Sequence, residues 1–380
     1  MKRSTGRRFF TTAAAMLLVL ALFANAVYAE PSLRASAYQL PLGIRLAEAA
    51  TMADPATAEA DALRTPEEMV QNWRALRTVS WIVAMNAVMT LFGKYILDPG
   101  GHGFDVSLET IENSLKSGFE WDDNSFSANN FRHPYQGAQY FGVARGNDYD
   151  FYQSSMWAFL GAWLFEYTGE AHQPSYNDWI NTAVGGIGLG EPLFRLQNMV
   201  LDNTATGSGR VWREIGGLFV LPLRGVNRLV TGEAFEVHQN PANRIPEYVR
   251  GEFNFGLRTI GDEHLWTGDT TKVYLSFDAT VGDPFGSFDK PYDWFSFGAQ
   301  LTFKNKPHGV ARLQSRGVLG QMDVHKTEES HHVLSAVQMF DYIDNEAYTF
   351  GGQAVAATFS SRFWKNDRFQ ATTGLSLIAI

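Results

Sequence analysis

Apolar and polar residues alternate over long stretches of the C-terminal third of the chain. Every second residue is apolar along 273–281 and again along 295–303. A period of two residues places the apolar side chains on one face of a β-strand. Similar segments are separated by turn-rich pieces, at about 249–260, 309–322, 332–343, 347–363 and 368–380. Residues 247–380 are therefore predicted to form seven consecutive antiparallel strands.

The length of these predicted strands favours a membrane-spanning sheet. Strands of about ten or more residues with one apolar face and aromatic residues near their ends are typical of outer-membrane β-barrels. In such a barrel Arg312, Gln314 and Arg316 would point into the lumen. The alternative is a secreted, water-soluble β-sandwich, whose strands are usually nearer about five or six residues. The predicted fold class is mainly β, an antiparallel transmembrane barrel with N-terminal helices packed in or against it.

Bacterial barrels have an even number of strands, so a barrel would need at least one strand beyond the seven predicted here. The sequence stops at residues 375–380 while still in strand register, without the terminal aromatic residue on which barrel proteins commonly end. We therefore expect either a truncated C-terminus or an additional strand from an earlier segment such as 211–222.

A helical pattern precedes the strands. Thr65, Pro66 and Glu68 have the spacing of an N-cap, a first-turn proline and a capping box, which predicts the start of a helix. The apolar stretch 79–92 that follows is shorter than the roughly 20 residues that span a bilayer. It is interpreted as a buried or interfacial helix rather than a spanning one. A second helix, apolar nearly all round, is predicted at about 152–167.

The N-terminus has the signature of a secretion signal. A basic start precedes an apolar run at 13–24, and small residues before Glu30 suit a cleavage site. The protein is therefore expected to be exported to the outer membrane, with the periplasm as the alternative. We divide the chain into a signal peptide (1–29), a mobile arm (30–70), a helical and glycine-aromatic region (71–246) and the strands (247–380).

Composition and charge narrow the choice of partners. The chain has no cysteine, which excludes a disulfide scaffold and a cysteine-ligated metal centre. A formal net charge of −9 argues against nucleic acid. The expected partners are outer-membrane lipid and, during insertion, the barrel-assembly machinery, while a small-molecule ligand stays open. No cofactor is expected.

The candidate chemistry lies between residues 131 and 195. His133, Ser154, Glu166 and Asp178 are the residue types of a hydrolase. His133 would be the general base, Ser154 or Ser155 the nucleophile, and Glu166 or Asp178 the orienting carboxylate. The other interpretation is a ligand-binding or structural polar network, formed with Tyr135, Gly137, Arg145, Asn147, Tyr167, Glu170, Ser175, Asn177, Glu191 and Arg195.

Three observations weaken specific kinds of site. Neither serine lies in a Gly-x-Ser-x-Gly elbow. A metal held by His133, Glu166 and Glu170 would lack a second well-spaced histidine, so no metal is expected. The glycine-rich run at 185–190 has no preceding strand and no following Lys-Ser or Lys-Thr, which argues against nucleotide binding.

In combination these motifs resemble the bacterial domain-of-unknown-function family 3943 over roughly residues 120–230. Asp148 departs from the family pattern, since a glycine often follows Asn147. The resemblance implies a Gram-negative envelope protein related to outer-membrane β proteins, without an established activity. The residues that carry it are His133-Pro134-Tyr135-Gln136-Gly137, Tyr140, Ala144-Arg145, Asn147, Ser154, Glu166-Tyr167, Gly169-Glu170, Pro174-Ser175, Asn177-Asp178, Gly185-Gly186 and Gly190-Glu191 with Arg195.

Together these observations predict a structural or transport-type protein of the outer membrane. Its N-terminal helices would plug, cap or line the barrel, held by the polar network between His133 and Arg195. The alternative is a membrane-embedded hydrolase acting on lipid or acyl groups.

Overall fold

The computed structural model describes residues 66–379 except 242–243, 260–270, 304–308, 346–347 and 367–368. The predicted signal peptide and nearly all of the predicted arm lie outside the described residues. The described part consists of a helical layer followed by one sheet.

Eight α-helices build the helical layer of the described chain. The first begins at Pro66, where the proline and capping pattern predicted a helix start, and continues through a single wide turn at Gly93–Leu97. Similar wide turns, Ala128–Arg132 and Asn181–Gly185, lead directly into the third and sixth helices. The helices are α1 Pro66–Phe92, α2 Leu108–Ser117, α3 His133–Gly146, α4 Phe151–Thr168, α5 Tyr176–Ile180, α6 Gly186–Val200, α7 Gly207–Val220 and α8 Pro222–Thr231.

The strands form one antiparallel sheet in sequence order, which confirms the predicted run of seven strands. Strands β4 and β6 are the longest, at 18 residues each. The outer strands β1 and β7 do not pair with each other among the described residues, so the sheet is not closed into a barrel. The strands are β1 Val249–Thr259, β2 Thr271–Val281, β3 Phe295–Phe303, β4 Gly309–Lys326, β5 Ser330–Asp344, β6 Thr349–Asn366 and β7 Phe369–Ala379.

Two parts of the predicted fold were wrong. Among the described residues helices contribute more than strands, so this part of the chain is not mainly β. The segment 211–222 supplies no strand, because it forms most of α7 and the start of α8. Val211, Ile215 and Phe219 recur at intervals of four residues, which is a helical period rather than the period of two of a strand.

The sheet has two chemically different faces, and the helices pack on the apolar one. Cross-strand pairing places Phe297, Ser315 and Phe340 side by side on this face. Ser315 donates a hydrogen bond to the Gly188 carbonyl of α6, at 2.6 Å. Further along the same face, side-chain amides of the sheet donate to backbone carbonyls of the helical layer, Gln338 to Val184 and Gln353 to Asn181.

The opposite face is polar and carries ion pairs. Arg312 contacts Asp278 at 2.7 Å, and Arg316 contacts Asp341 at 2.8 Å. Gln314 donates to the same Asp341 carboxylate. The three residues predicted to point into a lumen therefore lie on one face, away from the helices.

A glycine contact brings the helices of the candidate site close together. A Cβ added to Gly137 in α3 would lie 1.7 Å from the Thr182 carbonyl oxygen, and one added to Gly186 would lie 2.6 Å from the Gly137 Cα. Only glycine permits this approach of two backbones. The crossing brings the N-terminus of α3 against the turn that contains Thr182.

Candidate functional site

His133 is the first residue of α3 and lies deep in the helical layer, with its side chain 8% exposed. Its Nδ1 lies 3.2 Å from the Thr182 hydroxyl. Its Nε2 lies 3.6 Å from Oδ2 of Asp178. Burial, together with the positive charge of Arg132, lowers the pKa of His133 to about 4. The imidazole is therefore neutral at pH 7.

Asp178 is held at the start of the short helix α5. Ser175 caps this helix, and its hydroxyl oxygen accepts from the Asp178 backbone N–H at 3.2 Å. The carboxylate accepts from the side-chain amides of Asn124, at 3.0 Å, and Asn177, at 3.1 Å. Burial raises the pKa of Asp178, and these hydrogen bonds oppose the rise. Asn177 also bonds both the N–H and the carbonyl of Asp122, which fixes the loop before α3 to α5.

Two further carboxyl groups face this cluster from the end of α4. Glu166 accepts from the backbone N–H of Ser175 at 2.8 Å. Burial, followed by the nearby Glu170, raises the pKa of Glu166 to about 9. Burial and the charge of Asp178 raise the pKa of Glu170 to about 8. Both glutamates are therefore mainly protonated at pH 7, so the site keeps fewer negative charges than its composition suggests.

The aromatic members of the predicted network pack around this cluster rather than bonding to it. Tyr135 stacks on Phe131, with ring centroids 5.8 Å apart. Tyr167 meets Phe119 edge-on at 5.7 Å and packs against Trp163 at 4.9 Å.

A second buried network holds α3 and α6 together. Glu191 is fully buried between two arginines, with Nε of Arg145 and Nε of Arg195 each 2.8 Å from its carboxylate. Arg195 also donates to the Pro291 carbonyl at 2.6 Å, which ties the helices to the loop between β2 and β3. Arg145 donates to the Tyr149 carbonyl at 2.8 Å. Arg195 also lies 3.6 Å from Asp293, so the two arginines of the network face two carboxylates, as a buried ion network requires.

Asn147 ends α3 and connects the same region to two other helices. Its side chain bonds the Thr78 hydroxyl of α1 at 3.0 Å and the Asn227 amide of α8 at 3.2 Å. The following Asp148 has a φ of 65°. This left-handed conformation favours glycine and tolerates aspartate. Asp148 therefore occupies a backbone position that glycine would also suit.

The residues of the hydrolase hypothesis are not brought together. His133, Glu166 and Asp178 lie in one cluster, but the Ser154 hydroxyl donates to the Tyr149 carbonyl at 3.5 Å. Tyr140 of α3 packs against Gly161 of α4, and these two antiparallel helices are joined by a short turn. His133 and Ser154 each lie seven residues before that contact, on opposite sides, so a rise of 1.5 Å per residue separates them by about 20 Å.

Ser155 does not replace Ser154 as a nucleophile beside His133. Its hydroxyl donates to the Phe151 carbonyl of its own helix at 2.8 Å. The nearest hydroxyl partner of His133 is Thr182, which the sequence interpretation did not single out. A buried hydroxyl beside a neutral histidine and an aspartate still needs an open path for substrate. The side chains of His133 and Asp178 are 8% and 1% exposed, so this trio is enclosed.

Sequence reasoning also missed two buried polar groups. Asn86 of α1 accepts a hydrogen bond from the Tyr140 hydroxyl, which in turn accepts from Gln136. The break that Asn86 makes in the apolar run of α1 was the available signal.

The second missed group surrounds Arg228 of α8. Its guanidinium pairs with Glu214 of α7, at 2.8 Å, and with Glu233. No local sequence motif announces this group, because its members are spread over three elements.

The site can hold protons and lock helices. Within the described ranges no group of three or more histidine, aspartate and glutamate side chains is arranged to hold a metal ion. Neutral His133 and the protonated glutamates act as hydrogen-bonding groups at pH 7.

One comparison with known proteins gives a match, and it covers part of the helical layer. No curated protein and no solved structure matches the chain. The stretch that contains both buried networks and both ends of the α3–α6 crossing is shown to resemble one family: residues 118–223 match the model of Domain of unknown function (DUF3943).

Proposed function

We propose that this chain is a structural membrane protein of the cell envelope, whose sheet contacts lipid through its apolar face. The observation that carries the proposal is the exposure of large apolar side chains on that face beyond the area covered by helices. Phe253, Phe255, Leu375 and Leu377 are 76–79% exposed, although they share a face with the buried core of the sheet. Exposed apolar patches of this kind indicate contact with lipid or protein.

The polar face supports a sheet that curls toward its polar side. Ser276 and Thr302 lie on this face and are 7% and 5% exposed. The helix-to-sheet hydrogen bonds described above go to the other face. Crowding of side chains on the inside of a curled sheet accounts for this burial. A polar, ion-paired inner face and an apolar outer face are the arrangement of a membrane barrel wall.

The contacts of the helical layer indicate on which side of the proposed barrel wall it lies. A plug inside a lumen would contact the polar face, whereas α6 contacts the apolar face through Gly188 and its neighbours. We therefore assign the helices to the outer side of the wall. In this arrangement the His133 cluster and the Glu191 network hold the helices together and to the sheet, as structural locks. The localisation to the outer membrane is part of the same proposal, supported by the secretion signature of the N-terminus.

A pair of neighbouring substitutions on β1 tests the proposal. Phe255 points to the apolar face and Asn254 to the polar face, and both are exposed. On a lipid-facing strand position, arginine costs about 2–4 kcal/mol near the bilayer midplane. We expect Phe255→Arg to reduce strongly the heat-modifiable, folded fraction in phospholipid vesicles. Asn254→Arg should leave this fraction close to that of the wild type.

Equal folding of the two variants would contradict the membrane role. On a water-exposed surface, both substitutions change stability by less than about 0.5 kcal/mol. If Phe255→Arg and Asn254→Arg fold equally well, and the protein partitions into the soluble fraction, the membrane role is contradicted and the periplasmic alternative replaces it.

A further inference from the structure

Helix α1 and its continuation present a polar and packed side to the protein and an apolar side to the outside. Thr78 and Asn86, on the inner side, are buried together with Trp81 and Ile82. The outer side carries a stripe of exposed apolar residues, formed by Trp73, Leu76, Val79, Val83, Leu91 and Tyr95. A helix on a water-soluble protein has the reverse arrangement.

The stripe has the length of the apolar layer of a bilayer. Residues Trp73–Leu97 form the one described helix whose length and apolar composition would allow it to cross a membrane, with a mean hydropathy of 1.4. At 1.5 Å per residue, Trp73 and Tyr95 are separated by about 33 Å. The hydrocarbon core of a bilayer is about 30 Å thick.

The ends of the stripe carry the residues that prefer the membrane surface. Trp73 and Tyr95 are 62% and 58% exposed, one at each end. Arg74 lies at the first end, over the ring of Tyr149, and Lys94 at the second, where it pairs with Asp105 at 2.7 Å. Aromatic belts and basic residues at both ends are typical of membrane-spanning helices. Arg77 lies one turn inside the first end and is half-buried, and residues 78–93 contain no charged side chain.

The neighbouring helix α4 widens the same apolar surface. Asn86 of α1 donates to the Gly161 carbonyl of α4 at 3.4 Å, and Thr90 donates to the Gly169 carbonyl at 2.8 Å. The two helices therefore lie side by side. The only charged residue of α4, Glu166, is buried. Apart from Gln153 in the first turn, its exposed side chains are apolar or aromatic, namely Tyr152, Met156, Leu160 and Trp163.

We infer that α1 crosses the acyl-chain layer of a lipid bilayer, packed on the protein through Thr78, Trp81 and Asn86 and exposed to lipid along its outer stripe. The inference rests on the proposed function, because helices that cover the lipid-facing side of the sheet must meet the same lipid with their own outer side. Spanning replaces the buried or interfacial role that the apolar run 79–92 alone predicted.

Site-directed spin labelling tests the crossing directly, since the chain has no cysteine of its own. Single cysteines replace Leu76, Val83, Leu91 and Tyr95, one at a time, in the full chain reconstituted into phosphatidylcholine–phosphatidylglycerol vesicles. Oxygen dissolves in hydrocarbon, whereas a polar nickel chelate is excluded from it. Glu112→Cys on the exposed surface of α2 serves as the aqueous reference, and Phe255→Cys reports on the sheet.

The crossing predicts a depth profile along the helix. The ratio of oxygen to nickel accessibility should peak at Val83, at least about tenfold above Glu112, because transfer of a polar group into hydrocarbon costs several kcal/mol. It should fall toward Leu76 and Leu91 and be lowest at Tyr95. The replaced side chains are exposed, so folding should be retained.

Three outcomes would overturn the inference. A flat, intermediate ratio at all four positions would mean that α1 lies along the membrane surface. Low accessibility to both reagents would mean that protein covers the stripe. Aqueous values at α1 together with lipid values at Phe255 would reject the crossing while leaving the proposed function of the sheet intact. Lipid values at α1 with aqueous values at Phe255 would support the crossing and reject the sheet proposal instead.

Discussion

At the residue scale, the buried carboxyl groups of the helical layer are stabilised in two different ways. Glu166 is 3% exposed and accepts a hydrogen bond from the backbone N–H of Ser175, and it forms no ion pair within the described part of the chain. A carboxyl group in such a position keeps its proton rather than its charge. In the Glu191 network the carboxylate instead sits between Arg145 and Arg195 and is stabilised as an ion. The helical layer thus contains a buried carboxyl group that keeps its proton, Glu166, and one that is ion-paired, Glu191.

The protonated, buried carboxyl groups predict a loss of stability at high pH. The pKa values of Glu166 and Glu170, about 9 and about 8, are raised above their unfolded values, so the folded state binds more protons. The stabilisation is present below the unfolded pKa and is lost as the pH rises through these values. Between pH 7 and 9 the free energy of unfolding should fall, by at most about 1.4 kcal/mol per pH unit for each group.

Substitution by glutamine removes this dependence. Glu166→Gln should reduce the slope of thermal midpoint against pH, measured in detergent from pH 7 to 9, and Glu166→Gln with Glu170→Gln should flatten it. His133 is neutral in the folded state, and its ordinary pKa of 6.5 lies below this range, so its contribution to the slope is small and confined to the region near pH 7. Glu112→Gln, on the surface of α2, is the control and should keep the wild-type slope. An unchanged slope in the double variant would show that these carboxyl groups are ionised in the folded protein.

At the element scale, the crossing of α3 over the turn before α6 positions the site. The approach depends on Gly137, where an added methyl group would overlap the Thr182 carbonyl. Gly209 in α7 is the matched control, because an added Cβ meets nothing within 4 Å there. Both residues are helical, so the comparison isolates the helix crossing from helix propensity.

The two glycines should respond to alanine in opposite directions. Gly137→Ala should destabilise the protein by about 3 kcal/mol or more, since overpacking against backbone forces the elements apart. Gly209→Ala should be neutral or stabilising by up to about 1 kcal/mol. Chemical denaturation in detergent measures both. A Gly137→Ala variant as stable as the wild type would mean that the two elements are not in contact.

The strands could be predicted from sequence because their signal is local. Alternation along 273–281 and 295–303 needs only the pleat of a strand, and each segment carries it independently. The helical segment 211–222 was assigned wrongly as a possible strand, although its residues recur at intervals of four. The prediction there followed the expected strand count of a barrel rather than the period of the segment.

The site could be predicted as a set of residues but not as a geometry. His133, Glu166 and Asp178 are brought together by the α3 crossing and the capped start of α5, which depend on contacts between distant segments. Ser154 belongs to the same motif in sequence, yet the antiparallel packing of α3 and α4 moves it about 20 Å away from His133. Sequence proximity within a motif does not determine which end of a helix its members occupy.

At the scale of the whole molecule, the sheet and the helices both expose large apolar side chains. Paired polar groups lie in the His133 cluster, the Glu191 network and the ion-paired face of the sheet, beside an apolar core that includes Phe141, Phe295 and Phe340. Large apolar side chains are left outside, along α1, α4 and the edges of the apolar sheet face. Water penalises this distribution and lipid favours it. We therefore propose that the apolar face of the sheet lies against lipid.

A spin-label scan of β1 in vesicles tests this claim most directly. Single cysteines at Phe253, Asn254, Phe255 and Gly256 place labels alternately on the apolar and the polar face. If the apolar face contacts lipid, the ratio of oxygen to nickel accessibility should alternate with a period of two and be high at Phe253 and Phe255. Uniformly aqueous ratios at all four positions would contradict it, because they would place both faces of β1 in water.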